Sequence, residues 1–119
     1  MQPCIFCELD RATIAETPMS LAIFDRFPIS SGHALVVPRR HVATIWDLRE
    51  DEYADAFLLV KQLQRNLDSQ FHPDGFNVGV NCGEAAGQSV GHAHIHVIPR
   101  YRGDVPNPLG GVRNVFPEK

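Results

Sequence analysis

The chain predicts an α+β fold, and three observations carry that reading. Two pairs of short apolar stretches are each joined by turn residues, as in antiparallel hairpins. Between the pairs, Leu48 to Phe71 repeats its apolar residues at helical spacing. The last stretch, His92-Ala93-His94-Ile95-His96-Val97-Ile98-Pro99, alternates with a period of two, as a strand does. With 119 residues the chain is long enough for one core and one domain.

Cys4-Ile5-Phe6-Cys7 comes first. A single Cys-x-x-Cys pair is half of a four-ligand metal site, with the missing ligands left to distant histidines, or it is a pair of buried thiols. Ser20 to Asp25 reads as a strand, Ser30-Ser31-Gly32 as a turn, and His33 to Val37 as a second strand stopped by Pro38. Arg39-Arg40-His41 then lies in a loop. In the helix, Tyr53, Phe57, Val60, Leu63 or Gln64, Leu67 and Phe71 form one apolar stripe. Asp47 with Glu50 three residues on suits its N-terminus, and His72-Pro73-Asp74-Gly75 ends it. Phe76 to Asn81 alternates as a strand and leads to a glycine-rich loop, Cys82 to Gly91. Pairing this strand with the histidine strand brings Asn81, Gln88 and Ser89 near the imidazoles. Asp104 to Gly111, rich in proline and glycine, predicts an irregular arm.

Composition narrows the function. Hydrophobic residues make up 44% and charged residues 21%, ordinary values for a globular domain. No apolar run approaches a membrane span, and the first residues lack a signal-peptide pattern, so a cytoplasmic location is expected. Three cysteines argue against a disulfide framework. A net charge of −3 argues against a general nucleic-acid binder. The tail is locally basic: Arg100, Arg102, Arg113 and Lys119 face only Asp104 and Glu118. That balance suits a small anionic ligand, or an ordinary solvated tail.

On a strand, His92, His94 and His96 would share one face, with Ala93, Ile95 and Val97 in the core behind them. Such a row faces solvent, binds a metal, holds an anion, or attacks a phosphorus atom. For attack, a neutral imidazole must present one nitrogen lone pair while its other nitrogen donates to an acceptor. His94, in the centre, has a histidine on either side to hold phosphate oxygens. Crowded rings resist protonation, because each added charge repels the next. Gln88, Ser89 and the glycine-rich backbone supply uncharged donors. Asp25 is placed to accept ribose hydroxyls, and Ile23 and Leu35 to sandwich a base. A catalytic zinc on two alternate histidines is the rival, needing a third ligand and an open position. Its usual barrel needs more strands than this chain offers.

The segment His92-Ala93-His94-Ile95-His96-Val97-Ile98 resembles the signature of the histidine triad family of nucleotide hydrolases and transferases. Ser31 to Pro38, the helix, Asn81, Gly87-Gln88-Ser89-Val90 and Pro99-Arg100 follow in that family's order, so the resemblance spans residues 4 to 102. It implies a five-stranded antiparallel sheet with one long helix and a short N-terminal helix, the sheet continuing across a homodimer. It implies residues 1–102 as the domain and 103–119 as an arm packed on the body or on a partner subunit. It also implies a two-step reaction at an α-phosphate, with a covalent nucleotidyl intermediate on His94. His96 and His33 match accessory histidines, and Asp25 matches the ribose-binding acid. Asn81, Gly87, Gln88 and Ser89 match phosphate and leaving-group contacts, while Ile23 and Leu35 match the base pocket. A bacterial-type subgroup resembles this chain at Cys4, Cys7 and His41, which implies a structural zinc ion with His92 as fourth ligand and no catalytic metal. Cys82 and His72 lie outside the pattern. The tail departs from the phosphoramidase branch, which leaves Arg102 and Arg113 as candidate polyphosphate contacts. The expected activity is a nucleotidyl hydrolase acting on a dinucleoside polyphosphate or related nucleotide. The alternatives are a purine-nucleoside phosphoramidase and a nucleotide-binding regulatory protein.

Overall fold

The structure, a computed structural model, describes residues 4–7 and 12–116. Its regular elements are β1 (Ala15–Glu16), β2 (Ser20–Phe24), β3 (Ala34–Pro38), α1 (Glu50–Phe71), β4 (Gly75–Gly79) and β5 (Ile95–Arg100). The strands form one antiparallel sheet in the order β1-β2-β3-β5-β4. β2 and β3 pair from Ser20↔Pro38 to Phe24↔Ala34, and β4 and β5 from Gly75↔Arg100 to Gly79↔His96. Three residue pairs, Ala34↔Val97, Leu35↔His96 and Val36↔Ile95, join the two hairpins. Of the segment expected to form the short N-terminal helix, residues 5–7 form a turn, and residues 1–3 and 8–11 lie outside the described residues. No helix among the described residues is long and apolar enough to cross a membrane.

The core follows the sheet's alternation. Ala22, Ala34, Val36, Ile95 and Val97 meet α1 on one face, and Ile23, Leu35 and Val37 gather with Phe6 on the other. β3 is therefore buried on both faces, which accounts for its unbroken apolar run. The inward face of the helix keeps Val60, Leu63, Leu67 and Phe71 of the predicted stripe but is shifted toward Ala56 and Leu59. Ala56, Leu59, Leu63 and Leu67 are fully buried, whereas Phe57 is exposed and stacks on Tyr53. Small Ala56 lets the helix sit close to the sheet, and a stripe read from bulky residues passes over it. At the other end, Gly32 takes φ +89°, and a Cβ there would lie 2.8 Å from the Phe71 ring. Only glycine permits that approach of turn to helix.

The helix start also differs from expectation. Asp47 belongs to a preceding 3-10 turn, Ile45–Asp47, where it accepts from the Thr44 N–H at 3.3 Å. Glu52 is the residue that reaches back, accepting the Arg49 N–H at 2.9 Å. Both Glu52 oxygens also take Arg40, at 2.9 and 2.7 Å, which pins the loop carrying His41. The Arg40 hydrogen bonds, followed by that from the Arg49 backbone, hold the Glu52 carboxyl down at about 2 against an ordinary 4.5. Folding thus favours the charged form, and the stability it contributes is complete above 4.5 and lost as pH falls toward 2. Glu52→Gln is expected to cost about 1–2 kcal/mol at neutral pH and to flatten the dependence of melting temperature on pH across that window.

Candidate functional site

The Cys4–Cys7 turn closes with a hydrogen bond from the Cys7 N–H to the Cys4 carbonyl, 3.1 Å. It faces His41, at the end of the loop after β3, and His92, just before β5. Cys4 Sγ is 3.3 Å from His92 Nδ1, Cys7 Sγ is 3.5 Å from the same atom, and Cys7 Sγ is 3.2 Å from His41 Nδ1. One ligand atom from each of the four lies within 4.8 Å of all the others. The tautomer of His92 suits a metal. Its Nε2–H donates to the Pro38 carbonyl at 2.7 Å, so Nδ1 turns a bare lone pair to the sulfurs. Burial, the largest influence, lowers the His92 pKa and keeps the ring neutral. Two thiolates with two imidazoles are the donor set of a closed tetrahedral zinc site.

The histidines do not form one row. β5 begins at Ile95, because β4 stops at Gly79 and β3 pairs no further than Val36↔Ile95. His92 and His94 lie ahead of the ladder, where the Ala93 N–H is taken by the Val42 carbonyl at 2.8 Å. His92 is wholly buried beside the cysteines, while His94 and His96 line a cleft of about 430 Å³. The His94 Nδ1–H donates to the His92 carbonyl at 2.8 Å. A carbonyl can only accept, so the lone pair of His94 sits on Nε2.

A second chain of bonds starts at the turn between β2 and β3. The Ile29 N–H donates to His33 Nδ1 at 3.2 Å, which leaves the His33 proton on Nε2. That Nε2–H lies 3.0 Å from His96 Nδ1 and 3.4 Å from Asp25 Oδ2. His96 accepts through Nδ1, so its own proton is on Nε2. Burial is the main cause that lowers both pKa values, in His96 to about 4, with neighbouring His94 and His33 adding to it. His96 is thus a neutral donor at physiological pH. An NMR titration of its ring is expected to show one neutral tautomer from pH 8 to below 5. The unfolded ring ionises near 6.5, so stability from this group is complete above that value and lost as pH falls toward 4.

Of the residues expected at the site, Asp25, Leu35, Asn81, Ser89, His94 and His96 all line the 430 Å³ cleft. His33 stands buried behind it and lines a second cleft of about 510 Å³ on the far side of Asp25 and His96. Three expected residues, Ile23, Gln88 and Gly87, line neither cleft. Ile23 is fully buried beneath it, in the cluster with Phe6 and Leu35. Gln88 closes its own loop: Oε1 accepts the Gly83 N–H at 2.8 Å, and Nε2 donates to the carbonyls of Ala43 and Val90 at 2.6 and 2.9 Å. Gly87, at φ +91°, ends the short 3-10 turn Glu84–Ala86 in that loop. Arg102 and Arg113 line neither cleft. Sequence reasoning missed Ile5, Phe6, Arg26, Phe27 and Val90, which complete the 430 Å³ cleft. The signal was an apolar pair between two cysteines and an Arg-Phe pair directly after Asp25. Phe6 also packs edge-on against His94, with ring centroids 5.1 Å apart. Among the described residues the cleft thus presents apolar walls, one arginine, one carboxylate and a bare imidazole nitrogen, which suits attack on a phosphate ester bearing a flat apolar group.

The family model described as HIT domain matches residues 7–103. The adenosine 5'-monophosphoramidase of Schizosaccharomyces pombe is 40% identical over 102 residues, 82% of this chain and 74% of that protein. A bis(5'-adenosyl)-triphosphatase of Dictyostelium discoideum is 36% identical over 91 residues, 76% of this chain and 61% of that protein. Among solved structures, a zinc-bound histidine triad family protein from Mycobacterium smegmatis superposes with a TM-score of 0.77 at 34% identity. The match covers 85% of this chain and 77% of that one.

Proposed function

The chain belongs to the HIT domain family, whose members here include named nucleotide hydrolases, and from that premise we propose that it is a nucleotidyl hydrolase acting through His94. The observation that carries this reading is the bond from His94 Nδ1–H to the His92 carbonyl, which leaves the Nε2 lone pair in a cleft. In the first step an N–P bond forms between Nε2 and the α-phosphorus, and the bond from phosphorus to the leaving polyphosphate breaks. The His92 carbonyl, bonded to Nδ1–H, stabilises the positive charge that develops on the ring. His96 donates from Nε2 to a phosphate or leaving-group oxygen, and His33 holds it in that tautomer. In the second step water attacks phosphorus, the N–P bond breaks, and a nucleoside monophosphate and a proton leave.

The remaining contacts follow from the same geometry. Asp25 accepts the ribose hydroxyls, with its Oδ1 held by the Phe27 N–H at 2.9 Å. Asn81 and Ser89 contact the phosphate, with Arg26 on the same cleft; Gly87 and Gln88 act by shaping and closing that loop. Leu35, Ile5 and Phe6 flank the base, with Ile23 supporting them from below. Cys4, Cys7, His41 and His92 hold a structural zinc ion. β4 is an open sheet edge with half-exposed Val78, and two copies pairing there would give a homodimer with a continuous sheet. Residues 1–102 form the catalytic body and 103–119 an arm, pinned where Arg100 grips Asp104 at 2.7 and 2.8 Å and Asn77 at 2.6 Å.

A phosphoramidase differs only in its leaving group, an amine, and the 40% identity to a protein of that name favours keeping it as second reading. Incubation with diadenosine polyphosphates and with an adenosine phosphoramidate decides between them. Turnover of the polyphosphates, releasing adenosine monophosphate, is the expected result. Turnover of neither, with tight mononucleotide binding, would make the protein a nucleotide-binding regulator.

A further inference from the structure

Cations are scarce around the proposed site. Arg39, Arg40, Arg49, Arg100 and Arg102 each pair with a carboxylate. Among the described residues, Arg26 is the one lysine or arginine on the 430 Å³ cleft. It is exposed, and no hydrogen bond or ion pair with a described residue holds its guanidinium. Its neighbour Asp25 is engaged elsewhere, with Oδ1 on the Phe27 N–H and Oδ2 beside His33. The imidazoles add no charge: His94 must keep a bare lone pair to attack, and burial keeps His96 neutral at physiological pH. One carboxylate and one guanidinium therefore set the charge of the cleft, and they cancel.

Depth divides the ligand between these groups. His94 is buried, so the reacting phosphorus sits deep, while exposed Arg26 meets whatever reaches toward solvent. A phosphate joined to two groups carries a single charge, and the neutral donors of His96, Asn81 and Ser89 suffice for it. A polyphosphate chain beyond it carries more, and a guanidinium offers paired N–H donors that match phosphate oxygens. A neutral amine offers such a group nothing to bind.

We propose that Arg26 sets the choice of leaving group: it engages the phosphates beyond the reacting one, so the cleft selects anionic polyphosphate chains over neutral amines. The effect on turnover rests on the hydrolase function proposed above; the preference in binding does not. Without Arg26 the cleft keeps only the Asp25 carboxylate, and each further phosphate then meets repulsion in place of attraction. Because the guanidinium is exposed, salt screens its pull.

Calorimetric binding to the full-length chain tests this without turnover. The ligands are adenosine monophosphate and the α,β-methylene analogues of adenosine di- and triphosphate, in which the bond beyond the α-phosphorus cannot be hydrolysed. Affinity is expected to rise about tenfold or more along the series at low salt, and the rise to shrink as salt is added. Arg26→Gln should flatten the series, and Arg26→Lys, which keeps the charge, should restore most of it. The melting temperature of Arg26→Gln should stay within about 2 °C of the original, as for other surface substitutions, which shows that it folds. In turnover, the ratio of kcat/KM for diadenosine tetraphosphate to that for an adenosine phosphoramidate should fall at least tenfold in Arg26→Gln. An unmodified chain that binds all three nucleotides equally overturns the proposal. So does a rise that Arg26→Gln leaves intact, since another group would then hold the chain. Absence of turnover with both substrates would sink the hydrolase reading and leave the binding series to decide this one.

Discussion

Replacing His94 with alanine is expected to lower turnover by about four orders of magnitude or more, while the fold and mononucleotide binding persist. The asymmetry follows from position. His94 is 7% exposed, and in the proposed reaction only its Nε2 can act, because Nδ1 is committed to the His92 carbonyl. The other nucleotide contacts proposed above, at Asp25, Leu35 and Ser89 on separate elements of the cleft, do not pass through that ring. Loss of the ring removes the covalent route altogether, and a void beside Phe6 lowers the melting temperature by a few degrees at most. Single-turnover kinetics with equilibrium binding of adenosine monophosphate separates the two effects. A variant that keeps turnover within tenfold of the original would rule out His94 as nucleophile.

Cys4→Ala should act in the opposite order, on stability first. A site filled a thousandfold above its Kd contributes about 4 kcal/mol, and in a domain of this size that corresponds to a fall in melting temperature on the order of 10 °C. Bound metal measured by mass spectrometry should drop from one ion to none at low free zinc. Turnover should fall as well, although Cys4 touches no substrate. The side chain of His92 belongs to the cysteine cluster, and its carbonyl orients His94. A chelated unmodified chain should show the same pair of effects and recover both when zinc returns.

How much of this was legible in the sequence depends on how local each signal is. The helix and both hairpins show in their periodicity and turn residues because neighbours along the chain create them. β1 was missed, since two residues have no period to read. Ala56 was missed for a related reason: burial of a small side chain leaves no mark in a hydrophobic pattern. The alternation from His92 to Pro99 suggested a single strand, yet a ladder needs partners, and none pairs residues 92–94. Gln88 looked like a donor to substrate because its loop abuts the histidines, but three nearby backbone groups satisfy its amide. The candidate metal ligands stand at positions 4, 7, 41 and 92, and no local pattern joins them; the resemblance to a family named them, and the fold brings them together.

Among the described residues, the two hairpins are stitched along three residue pairs, with Asp25 and His33 on one side of that seam and His94 and His96 on the other. Neither half of the molecule carries the whole of the proposed site. During synthesis, neither that site nor the cysteine cluster is complete before the last quarter of the chain emerges. Turnover by the proposed route would therefore report that docking has finished.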